Sequence, residues 1–200
     1  MILDTKAFIR RLDGWIALLE PIHTSGGRVW YLDAHTFCKT LADDTGIDLT
    51  RICAVLSVLS PQNMWDTNKR DCQNICQAHA SGIDLASVTI ATYPAQKAKA
   101  IRILQADTIP CMEEAIGGNR ALKTRSFYCN VLYAGSDRAI TIDRHMLAVF
   151  GLKDVKIYQL LYVTLADVIR QRADTLDNVT PPQLQAMIWL CCRAMAELPF

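Results

Sequence analysis

Residues 49–82 read LTRICAVLSVLSPQNMWDTNKRDCQNICQAHASG, and this stretch decides the fold class. Its first part is an apolar run that Pro61 terminates, and either Asp48 or Thr50 is expected to cap its start. Its second part has the spacing of a helix that Gly82 stops. Two successive helices without strand-type alternation favour an all-α protein.

Helical patterns continue on both sides of this stretch, and no region shows several alternating strands. A turn is predicted at the Gly26-Gly27 pair, and the β-branched run Ile140–Ile142 is predicted to be an extended entry to a helix. The chain is therefore expected to form a compact all-α bundle of nine or ten helices. The predicted helices cover about 4–20, 29–45, 49–60, 66–80, 96–106, 110–116, 121–133, a stretch starting near 143, 156–172 and 181–196.

The composition fits a single domain with a sizeable core, since the 200 residues are 51% hydrophobic and 20% charged. No run reaches the roughly eighteen uninterrupted apolar residues of a membrane span. The N-terminal MILDTKAFIRRLDGWIALLE has the pattern of an amphipathic helix, not of a signal peptide. Most of the eight cysteines lie in apolar helical patterns, which is typical of reduced thiols. We expect a cytoplasmic monomer without a membrane partner.

The distribution of charge is more informative than the net charge of +1. Residues 96–145 hold eight basic and five acidic side chains, an excess of +3. This excess is compatible with a nucleic-acid partner, although a bias of this size also marks ordinary solvated surfaces.

Asp143 and Lys123 are the candidate catalytic residues. Asp143 stands at the junction of ITI with HMLAVF, where a carboxylate can simply cap the helix. Lys123 follows a Gly-Gly turn at the start of a predicted helix, whose positive end favours an uncharged, nucleophilic amine. Its alternative interpretation is an ordinary solvated lysine.

Amide and aromatic side chains follow the buried helix in LSPQNMWDTNK, residues 59–69. Gln62, Asn63, Trp65 and Asn68 could read or replace a nucleobase by hydrogen bonding and stacking. The alternative is turn chemistry of the Asx type with a packed tryptophan.

Cys72, Cys76 and His79 share one helical face and could be three metal ligands. Ile75 and the other apolar neighbours favour a core face instead, and a fourth ligand is not evident. We therefore expect neither a metal nor another cofactor.

The order of these parts resembles the HhH-GPD (helix-hairpin-helix) DNA glycosylase superfamily, in its endonuclease III and 8-oxoguanine glycosylase branches. The parts are an apolar helix, LSPQ, NK, the KAKAI helix, a glycine turn, a lysine, a helix and the hydrophobic-D-x-H motif. The similarity runs over residues 52–150 and continues faintly at QLQAMIWLCCR, residues 183–193. The chain is also similar to small phage-type proteins with S-P-x-x-x-W-x-x-N and T-I-D-R-H motifs.

The resemblance implies a two-lobed helical fold, with one lobe near 50–145 and the other from 1–49 with 146–200. It implies that Asp143 is the family's defining aspartate, and that Lys123 lies near the lysine that attacks the sugar in bifunctional members. Gln62 matches a glutamine that fills the space of an everted base. With the basic excess, the implied DNA-binding residues are Gln62, Asn63, Lys97, Lys99, Gly117, Gly118, Asn119, Arg120, Arg125 and His145.

The hairpin departs from the family pattern, because I-G-G-N-R-A-L-K stands where relatives have hydrophobic-P-G-hydrophobic-G-x-K. The four-cysteine iron–sulfur loop of endonuclease III relatives is absent. The expected function is a DNA glycosylase, with or without lyase activity, that acts on double-stranded DNA. The alternatives are a non-catalytic DNA-binding or interaction protein with the same fold, and an all-α protein unrelated to nucleic acid.

Overall fold

The computed structural model describes residues 3–197, apart from the side chains of Asn119 and Glu197. Within these residues the chain forms ten α-helices, one 3-10 helix and no β-strand, which confirms the predicted all-α class. No helix in this part of the chain is long and apolar enough to cross a membrane. The α-helices are α1 Thr5–Ala17, α2 Pro21–Thr45, α3 Leu49–Leu59, α4 Trp65–Ala80, α5 Pro94–Leu104, α6 Ile109–Ile116, α7 Leu122–Leu132, α8 Arg144–Val149, α9 Gln159–Ala173 and α10 Pro181–Glu197, with the 3-10 helix Gly118–Arg120 between α6 and α7.

The helices divide into two compact units. The middle unit is Ala34–Leu132, and the terminal unit comprises the chain up to Asp33 and from Tyr133 onward. These bounds differ from the expected lobes, chiefly because the first boundary falls inside the continuous helix α2. As a consequence Asp143 belongs to the terminal unit, whereas Lys123 belongs to the middle unit.

Helix α3 is the core of the middle unit. Every residue from Ile52 to Leu59 is buried, and α3 packs against α4, α5, α6 and α7. Its N-cap is Asp48, whose Oδ1 accepts the Thr50 N–H at 2.8 Å, so Asp48 is the cap of the two predicted candidates. Arg51 donates to the Ile103 carbonyl at 2.9 Å and so provides a hydrogen-bond partner for a carbonyl group at the C-terminal end of α5.

Helix α10 organises the terminal unit through its packing against α1, α8 and α9. Phe8 of α1 meets Phe150 edge to face, with ring centroids 5.8 Å apart, and both rings are buried. The Tyr31 hydroxyl of α2 donates to Gln185 Oε1 of α10 at 2.6 Å, which provides the buried amide with a partner.

The Gly26-Gly27 pair lies within α2, so the predicted turn and the predicted helix start near Val29 are wrong. Helix α2 begins at Pro21, in a position that proline favours. A Cβ atom on Gly27 would lie 2.6 Å from the Met187 backbone nitrogen. The glycine therefore permits two helices to approach closely, and this contact overrides the local preference for a turn.

Replacement of Gly27 by alanine should destabilise the protein, because the new methyl group would overlap the α10 backbone. Overpacking of this kind costs about 1–3 kcal/mol. A thermal melt should record a fall in Tm of about 2–10 °C.

Gly14→Ala is the matched control, since a Cβ at Gly14 in α1 meets nothing within 4 Å. This exchange should stabilise the protein by about 0.5–1 kcal/mol, because alanine loses less entropy than glycine in a helix. Equal stability of the two variants would contradict the close packing of α2 on α10.

Candidate functional site

The segment before α8 is held by a tyrosine of α9. The predicted extended entry is an irregular segment in which Ile140 and Ile142 are buried. The Tyr162 hydroxyl donates to the Ile140 carbonyl at 2.7 Å and accepts the Ile142 N–H at 3.2 Å. These bonds replace those of a neighbouring strand, and they fix the backbone that leads into Asp143.

The Asp143 carboxylate is held by three N–H donors. Its Oδ1 accepts the backbone N–H groups of His145 and Met146, each at 2.9 Å, so Asp143 is the N-cap of α8. Its Oδ2 accepts the Trp189 indole N–H of α10 at 3.0 Å. Both oxygens are therefore fixed in position while the side chain remains partly exposed.

Aromatic and cationic groups surround Trp189. The Trp30 and His145 rings meet it edge to face, with centroids 5.7 and 6.1 Å away. The Arg193 guanidinium carbon lies 4.9 Å from the Trp189 centroid. Because Trp30 and Trp189 are partly exposed, they give an accessible aromatic surface next to the carboxylate.

This arrangement suits the stabilisation of positive charge. A carboxylate in a fixed orientation stabilises a developing cation without reorganising, and an exposed aromatic surface can stack on a planar base. The nearby Cys192 donates its S–H to the His145 carbonyl at 3.7 Å. Burial and, to a smaller extent, the charge of Asp143 raise the pKa of the Cys192 thiol, which disfavours a nucleophilic thiolate.

Helices α6 and α7 of the middle unit are joined at the predicted glycine turn. Gly117 and Gly118 have φ angles of 125° and 55°, which favour glycine. A Cβ on Gly117 would lie 2.7 Å from Ala121 Cβ, whereas one on Gly118 would meet nothing within 4 Å. The turn thus requires Gly117, while the backbone at Gly118 borders open space.

Basic side chains occur at this turn and along α7. The Lys99 amine lies 3.7 Å from the position of a Gly117 Cβ, so it is next to the turn. Arg120 is exposed in the 3-10 helix, and Lys123 and Arg125 are partly buried at the start of α7. Lys97 is engaged within the chain, since its amine donates to the Ala86 carbonyl at 2.6 Å.

Gln62 and Asn63 have different roles in the turn between α3 and α4. Gln62 is exposed, has a left-handed φ of 52°, and accepts the Tyr93 hydroxyl at its Oε1. Asn63 instead donates from Nδ2 to the Leu59 carbonyl at 3.3 Å and to Asp71 Oδ2 at 3.1 Å. Asn63 therefore stabilises the turn, whereas Gln62 is exposed on its surface.

Trp65 and Asn68 lie in α4, so neither belongs to the turn between α3 and α4. Asn68 is buried, and its Nδ2 donates to the Leu56 carbonyl of α3 at 3.2 Å. The Lys69 amine lies 5.5 Å from the centroid of the Trp65 ring. Asn68 thus joins two helices, a role in packing and not in base recognition.

The predicted site residues divide between the two units. Asp143 and His145 lie together in the terminal unit. The middle unit holds all the others, which are Gln62, Asn63, Lys97, Lys99, Gly117, Gly118, Asn119, Arg120, Lys123 and Arg125.

Cys72 and Cys76 lie fully buried in the middle unit, as do Cys38 and Cys53. A hydrogen bond with Cys53 and burial raise the pKa of Cys38, and burial followed by a hydrogen bond with Cys76 raises the pKa of Cys72. Protonated thiols pack as small apolar groups. Among the described residues, no group of three or more His, Cys, Asp and Glu side chains could hold a metal ion, so Cys72, Cys76 and the partly buried His79 do not form such a group.

Sequence reasoning missed four residues that shape these regions: Trp30, Asp71, Tyr93 and Trp189. Trp189 bonds to a carboxylate 46 positions away, and Asp71 bonds to a backbone N–H 20 positions away. No local sequence pattern indicates contacts between residues that are so far apart in the chain. The W-L-C-C-R motif could have drawn attention to Trp189, because Arg193 follows it at helical spacing.

Comparison with known families gives one assignment. The chain belongs to DUF7178, a family of unknown function, whose model matches residues 8–196. Neither curated proteins nor solved structures gave a match.

Replacement of Gln62 by glycine should leave the free energy of unfolding unchanged or raise it by about 1 kcal/mol, because glycine relieves the left-handed backbone. Urea denaturation followed by circular dichroism measures this change.

Asn63→Ala is the contrasting variant, since it removes the donor to Leu59 and Asp71. It should lower the free energy of unfolding by about 1–3 kcal/mol. A clear loss of stability in Gln62→Gly would mean that the fold, and not a surface function, requires the Gln62 side chain.

Proposed function

We propose that this chain is a DNA base-excision enzyme of the HhH-GPD type, acting on a base that has left the double helix. The observation that carries this proposal is the Asp143 carboxylate, which three N–H donors fix beside the partly exposed Trp189. A carboxylate that only capped α8 would not need the indole bond at its second oxygen. The glycine turn with Lys99 beside it gives independent support.

Asp143 is proposed to stabilise the sugar during base release. Cleavage of the N-glycosidic bond builds positive charge on the sugar ring, and a fixed anion lowers the energy of that state. Its two oxygens are already oriented by His145, Met146 and Trp189, so little reorganisation is needed. Trp189 and Trp30 supply an aromatic surface on which an everted base can stack.

Lys123 is proposed as the nucleophile of a lyase step. Its uncharged amine would attack the anomeric carbon of the sugar while the N-glycosidic bond breaks and the base leaves with one amine proton. The C–O bond of the sugar ring then opens, its oxygen takes the second amine proton, and a covalent imine results, which splits one difficult step into two. Its position in the first turn of α7, just after the glycine turn, supports this role, because the resemblance places the lysine of bifunctional members nearby.

The turn between α6 and α7 is proposed to bind a DNA phosphate. Gly118 borders open space, so an anion can approach its backbone closely. Lys99 of α5 and Arg120 of the 3-10 helix add positive charge at this turn.

Asp143→Asn should abolish base release while leaving DNA binding largely intact. The amide keeps an oxygen for the α8 cap, but it loses the negative charge and turns N–H groups toward the Trp189 indole. The rate should fall by at least about 100-fold, as on loss of a transition-state contact. Single-turnover assays on duplexes with oxidised, alkylated and deaminated bases measure base release, and gel shifts measure binding.

Asp48→Asn is the matched control, because it makes the same exchange at the N-cap of α3 and should keep full activity. Lys123→Ala should abolish borohydride trapping of the imine while leaving some base release by water. Full activity in Asp143→Asn would overturn the catalytic proposal. Wild-type protein that binds duplex but releases no base would favour a DNA-binding protein without chemistry.

Gly118→Ala should weaken duplex binding, because its methyl group would occupy the space into which a phosphate must come. The slope of log affinity against log salt concentration should fall by about 0.9, the effect of one lost phosphate contact. Fluorescence anisotropy between about 50 and 200 mM salt measures both quantities.

Gly82→Ala is the control for backbone strain, since Gly82 has a φ of 71° and its Cβ would also meet nothing within 4 Å. Equal binding by the two variants would exclude a phosphate contact at Gly118.

A further inference from the structure

A buried carboxylate links two segments of the middle unit that are distant in sequence. Asp71 of α4 is 2% exposed, and its Oδ2 accepts the Asn63 side-chain N–H at 3.1 Å and the Ala91 backbone N–H at 2.9 Å. Asn63 belongs to the turn that carries Gln62, and Ala91 belongs to the segment that precedes α5. The buried Asp71 side chain therefore connects the turn after α3 with the segment before α5.

Two further hydrogen bonds connect the same segments nearer the surface. The Thr92 hydroxyl donates to the Pro61 carbonyl at 2.8 Å, and the Tyr93 hydroxyl donates to Gln62 Oε1. Tyr93 is about half exposed, at 50%. The three links occur at consecutive residues on one side, from Ala91 to Tyr93, so they act on the two segments as one unit.

The backbone at Gln62 needs such support. A φ of 52° is unfavourable for a residue with a side chain, and it persists only where neighbouring contacts determine the conformation. Burial of the Asp71 carboxylate costs free energy of desolvation that an apolar side chain would not. In return, Asp71 makes two hydrogen bonds that hold the Gln62 turn and the segment before α5 together.

We propose that Asp71 is a positioning residue, which presents the Gln62 side chain in one conformation to a DNA duplex from which a base has been everted. The proposal rests on the DNA-binding function proposed above. A side chain held in its bound conformation loses less entropy on binding, so its contacts contribute more to affinity. Loss of Asp71 should then reduce the preference for duplexes that lack a base, while general phosphate binding continues.

Asp71→Asn tests this role with little change of shape. The asparagine oxygen can take the place of Oδ2 and accept both N–H groups, but without the charge of the carboxylate it holds the Asn63 and Ala91 donors more weakly. Two duplexes serve as probes, one intact and one with a tetrahydrofuran abasic-site analogue. We expect the ratio of the Kd for intact duplex to the Kd for abasic duplex to fall about tenfold, which is the effect of one lost hydrogen-bonded contact. The Kd for intact duplex should stay unchanged.

Asp84→Asn is the charge-matched control, because Asp84 is exposed and caps Ala86 N in the same loop. This variant should keep the wild-type Kd ratio. Thr92→Val removes the hydrogen bond to the Pro61 carbonyl with little change in side-chain shape, so it gives a second test should Asp71→Asn fold poorly. Thr92→Val should lower the same ratio by a smaller factor.

Amide hydrogen exchange separates positioning from general destabilisation. In Asp71→Asn, exchange should accelerate at Ala91 and at the amides of residues 62 and 63, while the amides of α3 stay protected. Wild-type Kd ratios in both Asp71→Asn and Thr92→Val would overturn the proposal and leave the DNA-binding function standing. A wild-type protein without preference for the abasic duplex would overturn the role of Gln62 itself, and with it this inference.

Discussion

The burial of every residue from Ile52 to Leu59 of α3 is the constraint on which the middle unit depends. A helix that is buried on every side must have neighbours on every side, and α4, α5, α6 and α7 meet this requirement. Its polar groups must also be satisfied, which Ser57 achieves by donating to the Cys53 carbonyl at 2.7 Å. Both the glycine turn and the Gln62 turn lie at ends of helices that pack on α3. Their positions therefore follow from the packing of one apolar helix.

Much of the fold could be predicted from the sequence, because helix ends are set by local chemistry. Asp48 and Asp143 cap the helices that follow them, and Gly82 adopts the left-handed conformation that ends α4. The error at Gly26-Gly27 has the opposite cause. Glycine is ambiguous, and its role here is decided by Met187, a residue near the other end of the chain.

The candidate site could be predicted only in part, for the same reason. The types of Asp143 and Gln62 and their positions at helix ends are visible in the sequence, and so is the glycine turn. Their partners are not, since the Trp189 indole of α10 bonds to Asp143 and the Tyr93 hydroxyl, from the segment before α5, bonds to Gln62. Asn63 and Lys97 illustrate the converse. Polar residues that suggest DNA contacts in the sequence are engaged by carbonyls and a carboxylate of the chain itself.

The burial of the cysteines has a consequence for chemical labelling of this protein. Six of the eight thiols are buried, and Cys129 is partly so, whereas Cys111 is exposed in the first turn of α6. A maleimide reagent should therefore modify the folded protein chiefly at Cys111, without any engineered cysteine. The attached fluorophore would lie on the helix that leads into the Gly117-Gly118 turn. A label on this native cysteine would therefore report on the conformation of that turn in solution.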